Sequence, residues 1–376
     1  MKEGRSDSNA AANPLAERLD DLAKAVRRRR LDAMLVFGEA NIRSLTGLVC
    51  DNGCLVVRPG AASATAFITD FRYVEAAKES ADEGMQVLTP EKGATDAICT
   101  ILGEHNCARV AIEEDNISYA TYERYRKTFV GSTLEGGASA LLTRLRLHKS
   151  DEELEKIARA QSVTDAAFAH ILKVLTPEMT EIDVALELEM FMRRQGAQGL
   201  AFETIAVSGT NSSRPHGVPR PVKLERGFLT MDFGARVDGY CSDMTRTIVI
   251  GKADDEQREI YNTVLRAQLA ALELAKEGMG CYEMDRTARQ IIERAGYGKY
   301  FGHSLGHGVG MYIHESPNLS PRSPRDKVLK VGHIVTVEPG IYIEGKYGCR
   351  IEDMIGVTEQ GIVNFARSTK ELIEIY

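Results

Sequence analysis

No apolar run approaches the roughly 20 residues that a bilayer-spanning helix requires, so a membrane is not an expected partner. The opening stretch MKEGRSDSNAAANP lacks the apolar core of a signal peptide, and residues 1–13 read as a disordered tail. A basic excess is also missing. The net charge is −7, which removes the overall electrostatic footprint of a nucleic-acid binder. The cationic run Arg27–Arg30 reads as the exposed last turn of a helix starting near Pro14, where cations complement the macrodipole. The acidic run Glu113–Asn116 reads as a solvated strand end. The seven cysteines are scattered. Cys50 and Cys54 form the only close pair, and no second pair completes a zinc site. Reduced thiols in a cytoplasmic protein are therefore expected.

The chain does have the composition of a globular protein, 43% hydrophobic and 27% charged, and its 376 residues suit two domains. Over residues 14–147, short apolar runs at 33–38, 54–59, 64–70, 85–90 and 108–113 read as strands. Helical patterns near 15–30, 94–103 and 119–129 alternate with them, which makes an α/β domain. The segment RLRL then reads as a strand leading into a long helix that Ser150 and Glu153 open with a capping box. The second domain, 148–376, contains an internal repeat. Displaced by 100 residues, 166–197 lies over 266–297, matching Ala167 with Ala267, Leu172 with Leu272, Met179 with Met279, Arg194 with Arg294 and Gly196 with Gly296. Each copy reads as helix, turn, helix and then strands, an α+β domain with a pseudo-twofold. Such a domain places its site between the halves.

Three histidines crowd into GHSLGHGVGMYIHESP (302–317). His303 and His307 have the i, i+4 spacing of a helical zinc site. Yet Gly306, Gly308 and Gly310 would each cost a helix about 1 kcal/mol, and no Glu follows His303. The segment is expected to be extended, with its backbone running close to a functional centre. Four acids lie on strand-like sequence elsewhere in the domain. Asp232 and Asp243 flank a hairpin signal at Asp238-Gly239. Glu338 follows the apolar run of 333–343, and Glu352 shares a face with Arg350 in 347–358. Two carboxylates about 5 Å apart repel by roughly 3 kcal/mol even at an effective dielectric of about 20. Four converging acids call for cations, and oxygen-rich ligation with one imidazole suits manganese, cobalt, iron or zinc.

These segments resemble the pita-bread metallopeptidases, in their branch of Xaa-Pro aminopeptidases and prolidases. NIRSLTG (41–47) and TDFRYVEAA (69–77) are similar to the creatinase-type N-terminal domain of that branch. VSGTNSSRPHGVP, MDFGARVDGYCSDMTRT, HSLGHGVGMYIHESP, TVEPGIY and CRIEDMIGVTEQG follow its catalytic blocks in order. The resemblance implies a creatinase-type domain over 14–147 and a pita-bread catalytic domain over 148–376. It implies a two-metal site, most simply two Mn2+ with Co2+, Zn2+ or Fe2+ as alternatives. Asp232 would chelate one ion, His307 and Glu338 would hold the other, and Asp243 and Glu352 would bridge. His216, His303 and His314 correspond to histidines that surround the substrate without binding metal, and Arg350 to the arginine beside the bridging Glu. The expected partners are a proline-containing peptide and a second copy of the chain.

The chemistry that follows is attack by a metal-activated water on the carbonyl before proline. His314 and His216 are expected to donate to the oxyanion, and Glu338 to carry a proton to the leaving nitrogen. His303 and Phe202 are expected to wall the proline pocket. The expected function is therefore an Xaa-Pro aminopeptidase, with an Xaa-Pro dipeptidase as the alternative and a non-catalytic binding protein of the same fold as a third reading. A dipeptidase needs a cation for the proline carboxylate. Arg220, Arg322 and Arg325 lie in Pro-rich loops whose positions the sequence leaves open.

Overall fold

The computed structural model describes residues 14–60, 64–81 and 84–376, so the 1–13 segment read as a tail lies outside the described residues. The chain separates into one compact unit ending at Arg146 and a second running from Leu147 to Tyr376.

The first unit is built on a six-stranded sheet of β1 (Ala33–Val36), β2 (Gly53–Val57), β3 (Thr65–Thr69), β4 (Gln86–Leu88), β5 (Arg109–Ile112) and β6 (Thr133–Glu135), in the order β4-β3-β2-β1-β5-β6. Its helices are α1 (Pro14–Arg28), α2 (Glu39–Thr46), α3 (Val74–Ser80), α4 (Ala94–Glu104), α5 (Tyr119–Thr128) and α6 (Ala138–Arg146). Both faces of the sheet are covered, which is why its strands read as continuous apolar runs. Met34 and Val36 pack with Leu22, Val26 and Leu142, while Ala33 and Leu35 pack with Ile98, Leu102 and Phe129.

Two expectations fail here. RLRL is the end of α6 and not a strand, because Ala138, Leu142 and Leu145 recur at helical spacing and face one core. Glu113 is not solvated either. It is fully buried and accepts hydrogen bonds from the Phe37 and Gly38 amides at 2.5 and 2.8 Å and from the Asn41 and Asn116 side chains. Gly38, the N-cap of α2, has no side chain with which to cap the helix, and Glu113 takes that role from another element. Glu113→Ala should lower the unfolding free energy by about 2–3 kcal/mol, because it orphans buried donors. Chemical denaturation checks this, and a change under about 0.5 kcal/mol, the usual surface-substitution range, would contradict it.

The second unit repeats itself. α7 (Asp151–Val174) and α8 (Glu181–Arg194) are followed by β7 (Gly199–Leu200), β8 (Ile205–Ser208), β9 (Gly227–Phe233), β10 (Ala235–Val237), β11 (Tyr240–Cys241) and β12 (Met244–Ile250). α9 (Asp255–Leu274) and α10 (Cys281–Arg294) are followed by β13 (Gly306–Gly308), β14 (Glu315–Leu319), β15 (Ile334–Val337), β16 (Gly340–Ile343), β17 (Tyr347–Arg350), β18 (Asp353–Thr358), β19 (Gly361–Asn364) and β20 (Glu374–Ile375). Capping boxes open α7 at Ser150 and α9 at Asp254. Gly196 and Gly296, just past the second helix of each pair, have φ of 96° and 86°. Isolated bridges from Thr180 to Lys223 and from Gly280 to Val328 pin the starts of α8 and α10 alike. The first pair packs Ile171, Val184 and Leu188 with Met231 and Phe233. The second packs Ala271, Met284 and Ala288 with Val335 and Val337.

The two main sheets run β20-β12-β9-β8 and β14-β13-β15-β18-β19. Asp238 and Gly239 carry φ of 48° and 81°, the left-handed pair that closes the β10–β11 hairpin. The pairing of β9 with β12 sets Thr245 opposite Asp232, and that of β15 with β18 sets Asp353 opposite Val337.

Candidate metal centre and active site

Only one of the four acids lies within a strand. Asp232 is in β9, whereas Asp243 immediately precedes β12, Glu338 occupies the break between β15 and β16, and Glu352 the break between β17 and β18. The expected continuous strands 333–343 and 347–358 are thus interrupted at the functional residues. The arrangement follows the repeat: in each half one acid sits at the middle strand, and a second sits just ahead of the strand paired with it.

All nine candidate residues line one cavity of about 630 Å³: Asp232, Asp243, His307, Glu338 and Glu352, with His216, His303, His314 and Arg350. Phe202 lines it too, as expected of a pocket wall. One ligand atom each from Asp243, His307 and Glu352 lies within 4.8 Å of the others. His307 Nε2 is 3.5 Å from both Asp243 Oδ2 and Glu338 Oε1. Its Nδ1 is 3.0 Å from the Gly308 carbonyl, so Nδ1 carries the hydrogen and the Nε2 lone pair points at the acids. Burial holds this imidazole neutral, with its pKa lowered to about 4.

The acids are crowded and desolvated. Burial, and then the neighbouring carboxylates, push Asp243 and Glu352 well above the usual carboxyl range. Burial also pushes Glu338 up to about 8, opposed by Arg350 and reinforced by Asp232. Asp232 Oδ1 and Asp243 Oδ1 are buried acceptors with no hydrogen-bond partner among the described residues. Orphaned buried oxygens beside a neutral imidazole fit a divalent cation, which would compensate their desolvation.

A polar shell fixes these groups, and of its members Arg350 and His303 were named from the sequence whereas Thr245, Thr336 and Tyr342 were not. Arg350 donates from Nη2 to Asp232 Oδ2 at 2.6 Å, from Nε to Thr245 Oγ1 at 2.8 Å and from Nη1 to the Tyr342 hydroxyl at 2.7 Å. Thr245 Oγ1 in turn donates to Glu352 Oε2 at 2.6 Å. Thr336 Oγ1 accepts from the His307 amide and donates to Glu338 Oε1. His303 donates from Nδ1 to the Ser304 carbonyl, so its Nε2 accepts from Tyr342, and burial lowers its pKa to about 4. The signal available for Tyr342 was strand alternation, since Ile341 beside it points into the core. His314 packs its ring on His307, with centroids 4.4 Å apart. His216 is exposed at the cavity.

Gly306 lines the cavity, as expected of this extended segment, and the glycines serve a second purpose. A Cβ on Gly306 would sit 2.0 Å from the Thr336 carbonyl oxygen, and one on Gly308 would sit 2.2 Å from that of Ser316. They admit neighbouring strands, and that packing holds β13 and its His307 in place.

Residues 155–359 match metallopeptidase family M24, and residues 18–148 match the creatinase/prolidase N-terminal domain. The chain belongs to metallopeptidase family M24. Among its M24 relatives, the Xaa-Pro dipeptidase of Pyrococcus furiosus is 37% identical over 360 residues, 96% of this chain and 100% of that protein. The structure of an Xaa-Pro dipeptidase from Bacillus anthracis matches with a TM-score of 0.91 and 40% identity, covering 96% of this chain and all of that one. An X-Pro aminopeptidase from Thermotoga maritima matches with a TM-score of 0.85 and 33% identity, over 94% of this chain and all of that one. The two-domain architecture expected from the sequence is that of these M24 structures.

Proposed function

We propose that the chain is an Xaa-Pro dipeptidase that uses two divalent ions, with manganese the first candidate. The observation that carries hydrolysis is the desolvated acid set around a neutral His307 with orphaned carboxylate oxygens. In this reading Asp232, Asp243, His307, Glu338 and Glu352 would hold the ions. Bound there, the ions supply Lewis acidity and a water that loses its proton near neutral pH. Glu338, on the cavity wall, passes a proton to the proline nitrogen. His314 donates an N–H toward the oxyanion. Arg350 holds Asp232 in its orientation, and Tyr342 fixes the His303 ring along the cavity wall.

The names of relatives that match the chain end to end support the dipeptidase reading over the aminopeptidase expected first. So does the fate of the loop arginines. Arg220 is engaged by Glu181 and Glu225, and Arg325 by Glu283 and the Tyr282 ring. Arg322 lines a second cavity, of about 720 Å³, that shares His303, Ser304 and Asn318 with the first. It is the loop arginine left to meet a proline carboxylate. With manganese bound, kcat/KM for Ala-Pro should exceed that for Ala-Pro-Ala at least tenfold, about 1.4 kcal/mol of transition-state binding. Arg322→Ala should shrink that ratio. A preference for the tripeptide would return the aminopeptidase reading. The proposal includes a cytoplasmic setting, supported by seven free thiols, and a homodimer, which sedimentation would test.

A further inference from the structure

We propose that Lys149 is a positioning residue for His314, acting through a desolvated ion pair with Glu315. This role rests on the reading in which His314 acts on substrate. Lys149 Nζ donates to Glu315 Oε2 at 3.0 Å, and the two side chains are only 2% and 4% exposed. A pair so completely removed from water holds its geometry, because neither charge has another solvent to turn to. Glu315 is the residue after His314 and opens β14. His314, just ahead of the strand, lines the catalytic cavity while Glu315 does not.

The pair grips the His314 segment from behind. Glu315 Oε1 accepts from the Tyr312 amide at 3.2 Å, and the Gly310 amide donates to the Tyr312 carbonyl, which folds the 310–315 turn onto the carboxylate. A Cβ on Gly310 would come within 2.5 Å of that carboxylate, so a side chain there would have to displace it. Lys149 itself is fixed at its backbone, where its amide donates to the Gly332 carbonyl at 3.0 Å just ahead of β15. The His148 ring is bonded to the Val331 carbonyl at 2.9 Å. One residue at the head of α7 thus ties the turn carrying His314 to the strand that leads to Glu338. His314, by contrast, meets its surroundings through the His307 ring. Its backbone must therefore be held if the ring is to stay aimed.

The test uses manganese-loaded full-length protein with Ala-Pro as substrate. Lys149→Met takes the cation away from a buried carboxylate and can simply destabilise the fold, so it is paired with Lys149→Met/Glu315→Gln, which removes both charges and keeps the Tyr312 bond. The expected result for the double variant is a 10- to 100-fold fall in kcat, with KM within twofold of wild type and metal content unchanged. In a His314→Ala background the same double change should alter kcat less than twofold, because its target is gone. Wild-type kcat in the double variant would overturn the proposal and leave the pair purely stabilising. So would an undiminished loss in the His314→Ala background. A readout independent of turnover is the histidine ring spectrum of the metal-free protein, where the His314 resonance should shift in the double variant. If the wild-type protein cleaves neither Ala-Pro nor Ala-Pro-Ala, the functional reading fails, and an unmoved His314 resonance then overturns the positioning role on its own.

Discussion

Glu352→Gln should abolish peptide hydrolysis, with kcat/KM falling at least about a thousandfold. Glu352 stands ahead of β18 in the same way that Asp243 stands ahead of β12, and the proposed function makes both of them metal ligands. An amide is neutral and presents one acceptor oxygen, a poor bridge between cations. Losing several kcal/mol of Lewis-acid stabilisation, at tenfold in rate per 1.36 kcal/mol, gives the stated factor. Metal analysis should show the loss directly. Prolonged chelation of the wild-type protein should reproduce it, with activity returning on addition of manganese or cobalt.

The same substitution makes a second claim about the metal-free protein. An acid whose folded pKa is raised binds its proton more tightly folded than unfolded, so its contribution to stability is lost as pH rises through its unfolded value and beyond. Glu352 is raised well above the usual range by burial and by Glu338 and Asp232. By pH 8 the metal-free wild type has lost stability in this way, a loss that the amide, with no proton to release, does not suffer. Metal-free Glu352→Gln should melt no lower than metal-free wild type at that pH. A much lower melting temperature, or activity above a few per cent of wild type, would show that the ligand assignment is wrong.

Much of the site was legible because its chemistry is carried by residues that are conspicuous where they stand. A carboxylate in an apolar strand, as at Asp232, or a histidine among alternating glycines, as at His307, has few structural explanations. The groups that hold them were not legible. Thr245 and Thr336 look like ordinary strand residues, and their hydroxyls acquire a role only when β12 pairs with β9 and β13 comes up against β15. The strand breaks at Glu338 and Glu352 escaped because local apolar patterning runs straight through them. In the first unit, α2 was missed because its cap is Glu113, more than 70 residues away in sequence, and a local reading sees only Gly38. The glycine run was read as extended, and β13 is, but the bodies it admits are the Thr336 and Ser316 carbonyls. What sequence periodicity records is the face a residue presents. Which neighbour arrives at that face is decided by the fold.

His314→Ala should lower kcat by about 10²–10³, the usual cost of one lost oxyanion donor, while metal content stays at the wild-type value. The distinction from His307 is geometric. His307 directs Nε2 at two carboxylates and commits Nδ1 to a carbonyl. His314 is stacked edge-on against that ring and lines the open cavity, outside the group of ligand atoms that lie within 4.8 Å of one another. A ring in that position can reach a substrate oxygen without taking a ligand place. Because its contact forms with the developing charge, the loss should fall on kcat and kcat/KM together, with KM little changed. His314→Gln, which keeps an N–H donor on a flexible chain, should recover part of the rate. If His314→Ala instead strips the metal, His314 is a ligand and the division of roles among the histidines is wrong. If KM rises with kcat intact, the ring binds substrate in its ground state, and the oxyanion donor must be sought at His216, which is likewise exposed at the same cavity.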